Sequence, residues 1–336
     1  MSDAAAYFGA YEEILTPLFA ARNVLEIVAG AAESGLMTAL AEPTRIAELV
    51  EQTGLSEDMA EALCAALRAN DVVELVDDGR VVLTAPWRTL AAPAAFVPLG
   101  TAIDGNAVEG RLLRAGASST YWSMPASDRL TFARSVSPDP FSDEVVSMRR
   151  AEIAADPVRS RLVHGGRLLE LGCGLAGQLL TTLRALPEVH AVGVELSADL
   201  AEAAAARAAA LGLADRFTVV CGDAASFTSD EPFDFGSWSQ FFFPAASRSA
   251  ALATLLSCLR PGGAAWAPVG VDFEAVRAAP TGDVARSWAT FQLILRAWGV
   301  PERPPELLAA EFEAAGFVQV EVVPHPASPT VVGRRP

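Results

Sequence analysis

The sequence predicts an α/β fold: a doubly wound, mostly parallel sheet, preceded by a smaller helical domain with a helix–turn–helix–wing order. Three observations carry this expectation. Residues 166–336 alternate apolar strand-like runs with helical stretches, the pattern of parallel strands covered on both faces. Within them Leu168-Leu169-Glu170-Leu171 runs into Gly172-Cys173-Gly174-Leu175-Ala176-Gly177, a buried strand feeding a glycine-rich turn that opens a helix. Residues 42–95 hold two short helical patterns and two valine-rich runs around a turn, which is the helix–turn–helix–wing order.

Composition bounds the rest. A chain of 336 residues is too long for one ordinary core, and three segments are expected: 1–100, 101–165 and 166–336. Hydrophobic residues make up 51% and charged residues 20%, enough apolar side chains for packed cores. The net charge of −16 repels phosphate backbones, so nucleic acid is not an expected partner. The chain has no lysine, which excludes a catalytic lysine and a P-loop. Cys64, Cys173, Cys221 and Cys258 lack metal-ligand spacing and read as reduced thiols in a cytoplasmic protein. No charged leader followed by an apolar core opens the chain, and no apolar run long enough to span a bilayer stands out, so no membrane association is expected.

In chain order, residues 4–41 place Tyr7, Tyr11, Ile14, Leu15, Leu18 and Phe19, then Val24, Ile27, Val28 and Ala31, at helical spacing. So much apolar surface ahead of the main core calls for a partner, and a second copy of the chain is the simplest, which predicts a homodimer. Pro43 to Ile46 opens a helix running to about Glu51. Ser56 caps a second, with Ala60, Leu63 and Leu67 inward. Runs 72–76 and 81–83 then flank Asp77-Asp78-Gly79-Arg80 as a hairpin. A winged helix can bind DNA through its second helix or serve as a dimerisation module. Here that helix carries Glu57, Asp58 and Glu61 against Arg68, the wrong charge for a major groove.

Residues 96–165 connect the two parts. Ser118-Ser119-Thr120-Tyr121-Trp122 is a polar loop ending in two aromatics. Phe132, Phe141 and Met148 suit either a cavity wall or ordinary core, and Arg149-Arg150 either an acidic substrate or surface carboxylates. Beyond, strands are expected near 168–172, 190–195, 216–221, 234–240, 263–269 and 317–323, with a last one near 329–333, and a helix from about Gly177 to Leu186. The glycines let that helix pack close to the sheet and aim its amides over the turn.

In such a sheet ligands lie beyond the carboxyl ends of the strands. Ala191-Val192-Gly193-Val194-Glu195 ends the second strand in an acid, followed by Leu196, about two dozen residues past the glycine turn, the offset at which a carboxylate accepts ribose hydroxyls. The third strand, 217–221, ends in Gly222-Asp223-Ala224, where an acid and adjacent amides can read the edge of an adenine. Phe233-Asp234-Phe235 opens the fourth strand, and Leu259-Arg260-Pro261-Gly262-Gly263 turns into the fifth. Glu170 beside the glycines suits a cationic amino group better than a pyrophosphate, unless it simply pairs with an arginine.

This order and spacing resembles the class I S-adenosylmethionine-dependent methyltransferases, with a Rossmann-like sheet. The glycine loop looks like that family's first motif, Glu195 its ribose acid, Gly222-Asp223 its adenine turn and Leu259–Gly263 its turn before the fifth strand. The resemblance covers about half of the chain. The front half resembles the winged-helix dimerisation domain of small-molecule O-methyltransferases. It implies S-adenosylmethionine bound by Glu170, Gly172, Gly174, Glu195, Leu196, Gly222, Asp223 and Ala224. It also implies a small aromatic or natural-product acceptor, on the aromatic run Trp238, Gln240, Phe241, Phe242 and Phe243 with Tyr121 and Trp122 in the pocket; Trp288, Phe291 and Trp298, at helical spacing within 272–300, suit either a cover over that pocket or core packing.

The sequence departs from that family at one point. Many of its members carry a catalytic histidine after the fourth strand, to take a proton from the acceptor. Residues 237–244 contain none, and His164, His190 and His325 lie away from the expected mouth, so no metal site is expected either. Two accounts remain: methyl transfer by proximity to an acceptor that is already nucleophilic, or a carboxylate base, for which Asp272 and Glu274 after the fifth strand are the candidates. Oxygen is the acceptor atom by family habit, with carbon or nitrogen open. Two rival functions stay open as well: a non-methylating reaction such as cyclisation or decarboxylation that uses the sulfonium charge, and a cofactor-sensing DNA-binding regulator.

Overall fold

The computed structural model describes residues 3–76, 78–93, 95–116, 120–324 and 328–336. The chain divides into two compact units, Met1–Asp104 and Gly105–Pro336. The expected segment 101–165 therefore falls almost wholly within the second unit.

The first unit begins with α1 (Asp3–Ala10), a π-helical turn (Tyr11–Leu15) and α2 (Thr16–Glu33), followed by α3 (Leu36–Ala39), α4 (Ile46–Thr53) and α5 (Glu57–Ala69). Strands β1 (Val73–Leu75) and β2 (Val81–Leu83) pair antiparallel, and α6 (Ala85–Leu90) closes the unit. Ser56 caps α5 by accepting from the Met59 amide at 3.3 Å. Asp77 of the expected hairpin turn lies outside the described residues. Val28, Leu36, Leu40, Leu49, Leu67 and Leu83 form the core of this unit.

Ahead of that core, Tyr7, Phe8, Ile14, Leu18 and Phe19 are exposed. The stretch Ala4–Glu33, with mean hydropathy 1.4 over its most apolar window, is one helix long and apolar enough to cross a membrane by length and composition. Glu12, Glu13, Arg22 and Glu26 punctuate a stretch otherwise rich in alanine and large apolar residues, so no uninterrupted apolar run marks it in the sequence.

Helix α7 (Leu99–Ala115) contains the division between the units. The second unit continues through α8 (Ala126–Ser135) and α9 (Asp143–Ala155) into the sheet. Its strands are β3 (Gly166–Leu171), β4 (Val189–Glu195), β5 (Phe217–Cys221), β6 (Phe233–Trp238), β7 (Leu259–Pro268), β8 (Val318–Val323) and β9 (Thr330–Arg334). Helices α10 (Gly177–Ala185), α11 (Ala198–Ala210), α12 (Ala245–Cys258), α13 (Phe273–Ala278), α14 (Asp283–Ala297) and α15 (Pro305–Ala314) run between them. The sheet order is β5-β4-β3-β6-β7-β9-β8, parallel from β5 to β7, with β9 antiparallel to both of its neighbours.

Alternation along β3 feeds two cores. Leu168 packs on one face with Leu180, Leu183 and Val189. Leu169 and Leu171 pack on the other with Leu252, Leu255 and Phe312. The chain runs outward from β3 in one direction through β4 and β5 and in the other through β6 and β7. The strand order therefore reverses at β3, and a crevice opens at its carboxyl end.

Candidate functional site

At that crevice lies a cavity of about 500 Å³, within the range of small-molecule sites. Its floor is the turn after β3. The amides of Gly172 and Cys173 both donate to the Val194 carbonyl, at 2.9 and 3.2 Å, and the Ser239 amide donates to the Leu171 carbonyl at 3.1 Å. The turn is thereby tied to both neighbouring strands. Gly172 stands at φ 75°, where a Cβ would come within 2.8 Å of the Phe243 ring. Gly174, at φ 55°, has open space above it.

Gly177 serves a different neighbour than the sequence suggested. A Cβ there would meet the Ser137 hydroxyl and the Pro138 carbonyl rather than the sheet, so the residue admits the segment before α9. Close packing against the strands falls instead to Gly193, where a Cβ would lie 2.5 Å from the Cys173 sulfur. Gly193→Ala is expected to destabilise the protein by about 2 kcal/mol through overpacking. Adding Cys173→Ala should recover most of that loss in a denaturant-unfolding comparison, and strict additivity of the two changes would contradict it.

Three acids face the cavity from successive strand tips. Glu195 is buried, with one oxygen accepting from the Gly174 amide and the other from the Ser197 amide, both at 2.8 Å. Burial raises its pKa and these amides oppose the rise. The acid and the glycine turn are thus one hydrogen-bonded unit. Asp223 caps a short 3-10 turn, Ala224–Ser226, through the Ala225 amide at 2.9 Å, and the Gly222 amide donates to the Glu195 carbonyl at 2.9 Å. Leu196 is exposed at the rim.

Glu170 is the most perturbed of the three. One oxygen accepts from the Ser239 hydroxyl at 3.0 Å, and the other is buried with no partner. Burial pushes its pKa up to about 7 against the opposing effects of Ser239 and the Arg149 charge. Glu170 is therefore not spent on an ion pair: Arg149 gives its guanidinium to Glu152 at 3.1 Å and to the Thr182 hydroxyl at 3.2 Å. Among the described residues, no arginine or histidine lines the cavity. Three carboxyls without a facing cation favour a positively charged ligand and disfavour a pyrophosphate.

The fold and these strand tips correspond to known proteins. Residues 168–263 match a family model described as a methyltransferase domain. Those residues form a methyltransferase domain. No curated protein matches the chain by sequence. Human N-acetylserotonin methyltransferase, solved with S-adenosylmethionine, superposes with a TM-score of 0.68 at 14% identity, covering 100% of this chain and 98% of that one. Mitomycin 7-O-methyltransferase gives 0.64 at 19%, covering 99% and 100%. A methyltransferase of calicheamicin biosynthesis, bound to S-adenosylhomocysteine, gives 0.63 at 22%, covering 100% of both chains. At these identities the likeness shows the fold.

The other half of the cavity is aromatic, with Tyr121, Trp122, Phe242, Phe243 and Trp298 among its lining. Tyr121 sits in a 3-10 turn capped by Thr120, edge-on to Phe242 and Trp298. Burial holds its phenol well above the ordinary value. Ser118 and Ser119 of the expected loop lie outside the described residues.

Several expected pocket residues do not line the cavity. Trp238 is fully buried beneath it, its ring against the Arg248 guanidinium, because its place in β6 turns it into the core. Gln240 is buried as well, with its amide donating to the Pro268 carbonyl at 3.2 Å. Phe241, Trp288 and Phe291 pack on one another as a cluster behind the wall. Phe132 supports Phe242 and Trp298 from within the core, while Phe141 and Met148 are exposed.

The two carboxylate-base candidates are also displaced. Asp272 caps α13, one oxygen accepting from the amides of Glu274 and Ala275. Glu274 points to solvent and pairs with Arg277. Neither lines the cavity. Both follow β7 in sequence, but the chain turns into α13 there, away from the crevice at β3.

Sequence reasoning passed over Ser239, Ser247, Pro244, Gln178 and Val300, which do line the cavity. Ser239 stands at the tip of β6, so the strand-tip rule that found Glu195 and Asp223 also reaches it. Arg248, buried beside the site, donates to the Gln240 carbonyl at 3.0 Å and is held by Glu311, which Arg303 also grips. This clamp anchors the turn that presents Phe242 and Phe243.

Proposed function

We propose that the protein binds S-adenosylmethionine in the acid-lined half of the cavity and transfers its methyl group to a hydroxyl of a small aromatic acceptor in the aromatic half. The observation that carries this reading is the charge of the lining: three carboxyls at strand tips, one with an orphaned buried oxygen, and no arginine or histidine among the described lining residues. Glu170 would meet the cofactor's amino group, Glu195 its ribose hydroxyls, and Gly222, Asp223 and Ala224 its adenine edge. Leu196 would cover the base, and Gly172 and Gly174 would form the floor. When bound, the cofactor supplies an electrophilic methyl group on a positively charged sulfur. The chain's own contribution is to hold the acceptor in line and exclude water from the reacting centre.

Calorimetry with S-adenosylmethionine and S-adenosylhomocysteine tests the site. Asp223→Ala is expected to weaken both by about tenfold, the loss of one charged hydrogen bond, and unchanged affinity removes Asp223 from the assignment. Release of S-adenosylhomocysteine together with a methylated acceptor separates methyl transfer from cyclisation or decarboxylation.

We also infer a cytoplasmic homodimer. Cys64, Cys173, Cys221 and Cys258 are unpaired, in keeping with a reducing compartment. The apolar side chains of Tyr7, Phe8, Ile14, Leu18 and Phe19 are exposed on the 35.2 kDa chain, and a second copy offers the same surface in return. Sedimentation is expected to give twice the chain mass, and Leu18→Glu with Phe19→Glu should return it to that of one chain. A wild-type protein that sediments as a single chain at micromolar concentration overturns the inference.

A further inference from the structure

A chain of hydrogen bonds outside the cavity joins its acid-lined half to its aromatic half. Arg129, on α8, donates through one Nη and through Nε to Asp199 of α11, at 2.8 and 3.1 Å. Its other Nη donates to the Met124 carbonyl at 3.0 Å. Asp199 also accepts from the Ser197 hydroxyl. The Ser197 amide donates to one oxygen of Glu195 and the Gly174 amide to the other, both at 2.8 Å. Glu195 and Gly174 line the acid half. Tyr121 and Trp122, in the 3-10 turn that Met124 ends, line the aromatic half. Arg129 is not part of the lining.

The ion pair does more than dock α8 on α11. That docking already has an apolar seam, in which Ala133 and Leu200 pack with Leu130 and Ala203 beside them. The Arg129 and Asp199 side chains are only 13% and 23% exposed, so solvent screens them less than a surface pair. The turn closes its own bonds locally: the Thr120 amide donates to the Ser123 hydroxyl at 2.8 Å, and the Ser123 amide to the Thr120 hydroxyl at 3.1 Å. Arg129 ties the end of that turn to the tip of β4. Tyr121 senses the same groups. Burial is the main cause of its high phenol pKa, and the charges of Glu195, Arg129 and Asp199 act on it as well. A planar guanidinium can hold a carboxylate and a carbonyl at once in fixed directions, which a point-like ammonium cannot.

We propose that Arg129 is a positioning residue that couples cofactor binding to the placement of Tyr121 and Trp122 in the acceptor wall. This rests on the methyltransferase reading above. Ribose hydroxyls held by Glu195 steady the tip of β4 and the start of α11. Through Asp199 and Arg129 they steady the turn as well. A wall ordered by the first ligand leaves less freedom to lose when the second arrives. The acceptor therefore binds more tightly after the cofactor, and by linkage the cofactor binds more tightly beside the acceptor.

The test uses the full chain, S-adenosylhomocysteine as the probe, and amide hydrogen exchange read by mass spectrometry. In wild type, saturating probe is expected to slow exchange in segments 172–178 and 195–199. It should also slow the amides of 121–124, by about fivefold or more, the lower end of ordinary coupling between sites. In Arg129→Met, equally saturated, the first two segments should stay protected while 121–124 changes by less than about twofold. Arg129→Lys keeps the charge without the fork and should fall between the two. Loss of a merely structural contact would speed exchange with and without the probe and leave their ratio intact. Direct contact between probe and turn would protect the turn in the variant too. A turn unaffected in wild type, or protected equally in Arg129→Met, overturns the proposal. If Arg129→Met does not fold, Asp199→Asn weakens the same link from its other side and gives the same comparison, and the wild-type arm needs neither. Failure of S-adenosylhomocysteine to bind overturns the methyltransferase reading and this proposal with it. Binding that protects 172–178 and 195–199 but not 121–124 overturns only the role given to Arg129.

Discussion

Glu195→Ala is expected to weaken S-adenosylmethionine binding by at least about a hundredfold in a calorimetric titration. Hydrogen bonds to a charged group contribute about 1.5–3 kcal/mol each, and about 1.4 kcal/mol is a factor of ten. Losing two contacts to ribose hydroxyls therefore exceeds a hundredfold on its own. The structure adds a second loss. The carboxylate holds the Gly174 and Ser197 amides at 2.8 Å, so its removal frees the floor of the site as well as one wall. Glu195→Gln retains one carbonyl acceptor and nearly the same shape, and should fall between alanine and wild type, near a tenfold loss. Asp223→Ala should be milder than Glu195→Ala, because Asp223 is exposed and braces only the Ala225 amide. Affinity within twofold of wild type for Glu195→Ala would remove this acid from the cofactor site.

The order of these effects follows from features of unequal visibility in the sequence. The strand tips are legible because a parallel sheet announces itself by apolar runs at regular spacing. An acid that closes such a run, as Glu195 closes β4 and Asp223 follows β5, falls at the ligand end by topology alone. Ser239 obeys the same rule. The aromatic half is less legible because its residues come from three separate stretches that meet only in the fold: Tyr121 before α8, Phe242 and Phe243 after β6, and Trp298 after α14. A run such as Trp238 to Phe243 does not say which rings face the cavity. The strand ends at Trp238 and the chain enters a 3-10 turn, so Trp238 turns inward, Phe241 joins Trp288 and Phe291, and only Phe242 and Phe243 reach the lining. Asp272 and Glu274 were misplaced for a related reason. Proximity in sequence to a strand tip does not place a side chain at the mouth when the next helix turns away, and Asp272 is occupied as that helix's cap.

Glu170→Gln should separate binding from stability, moving them in opposite directions. The carboxyl ordinarily titrates near 4.5 and is pushed up to about 7 by burial in the folded protein. Below pH 4.5 it is protonated whether the chain is folded or not, and it contributes no difference. Between 4.5 and 7 the unfolded chain releases the proton while the folded chain retains it, so the folded state loses ground as pH rises. Above 7 the deficit is complete, at about 3 kcal/mol. Glutamine cannot ionise, so without cofactor the variant should be more stable than wild type at pH 8, by several degrees in melting temperature. The advantage should shrink steadily toward pH 5. Binding should respond the other way. A cationic amino group requires the ionised carboxylate, so wild-type affinity should rise from pH 6 to 8, with a proton released on binding, while the variant binds weakly and without that slope. This pairing follows from the orphaned Glu170 oxygen: the group that makes the empty site unfavourable is the one a cation completes, which is how functional sites commonly cost stability. A variant less stable than wild type at pH 8, or one that keeps the wild-type pH slope of binding, would show that Glu170 is already satisfied without the cofactor.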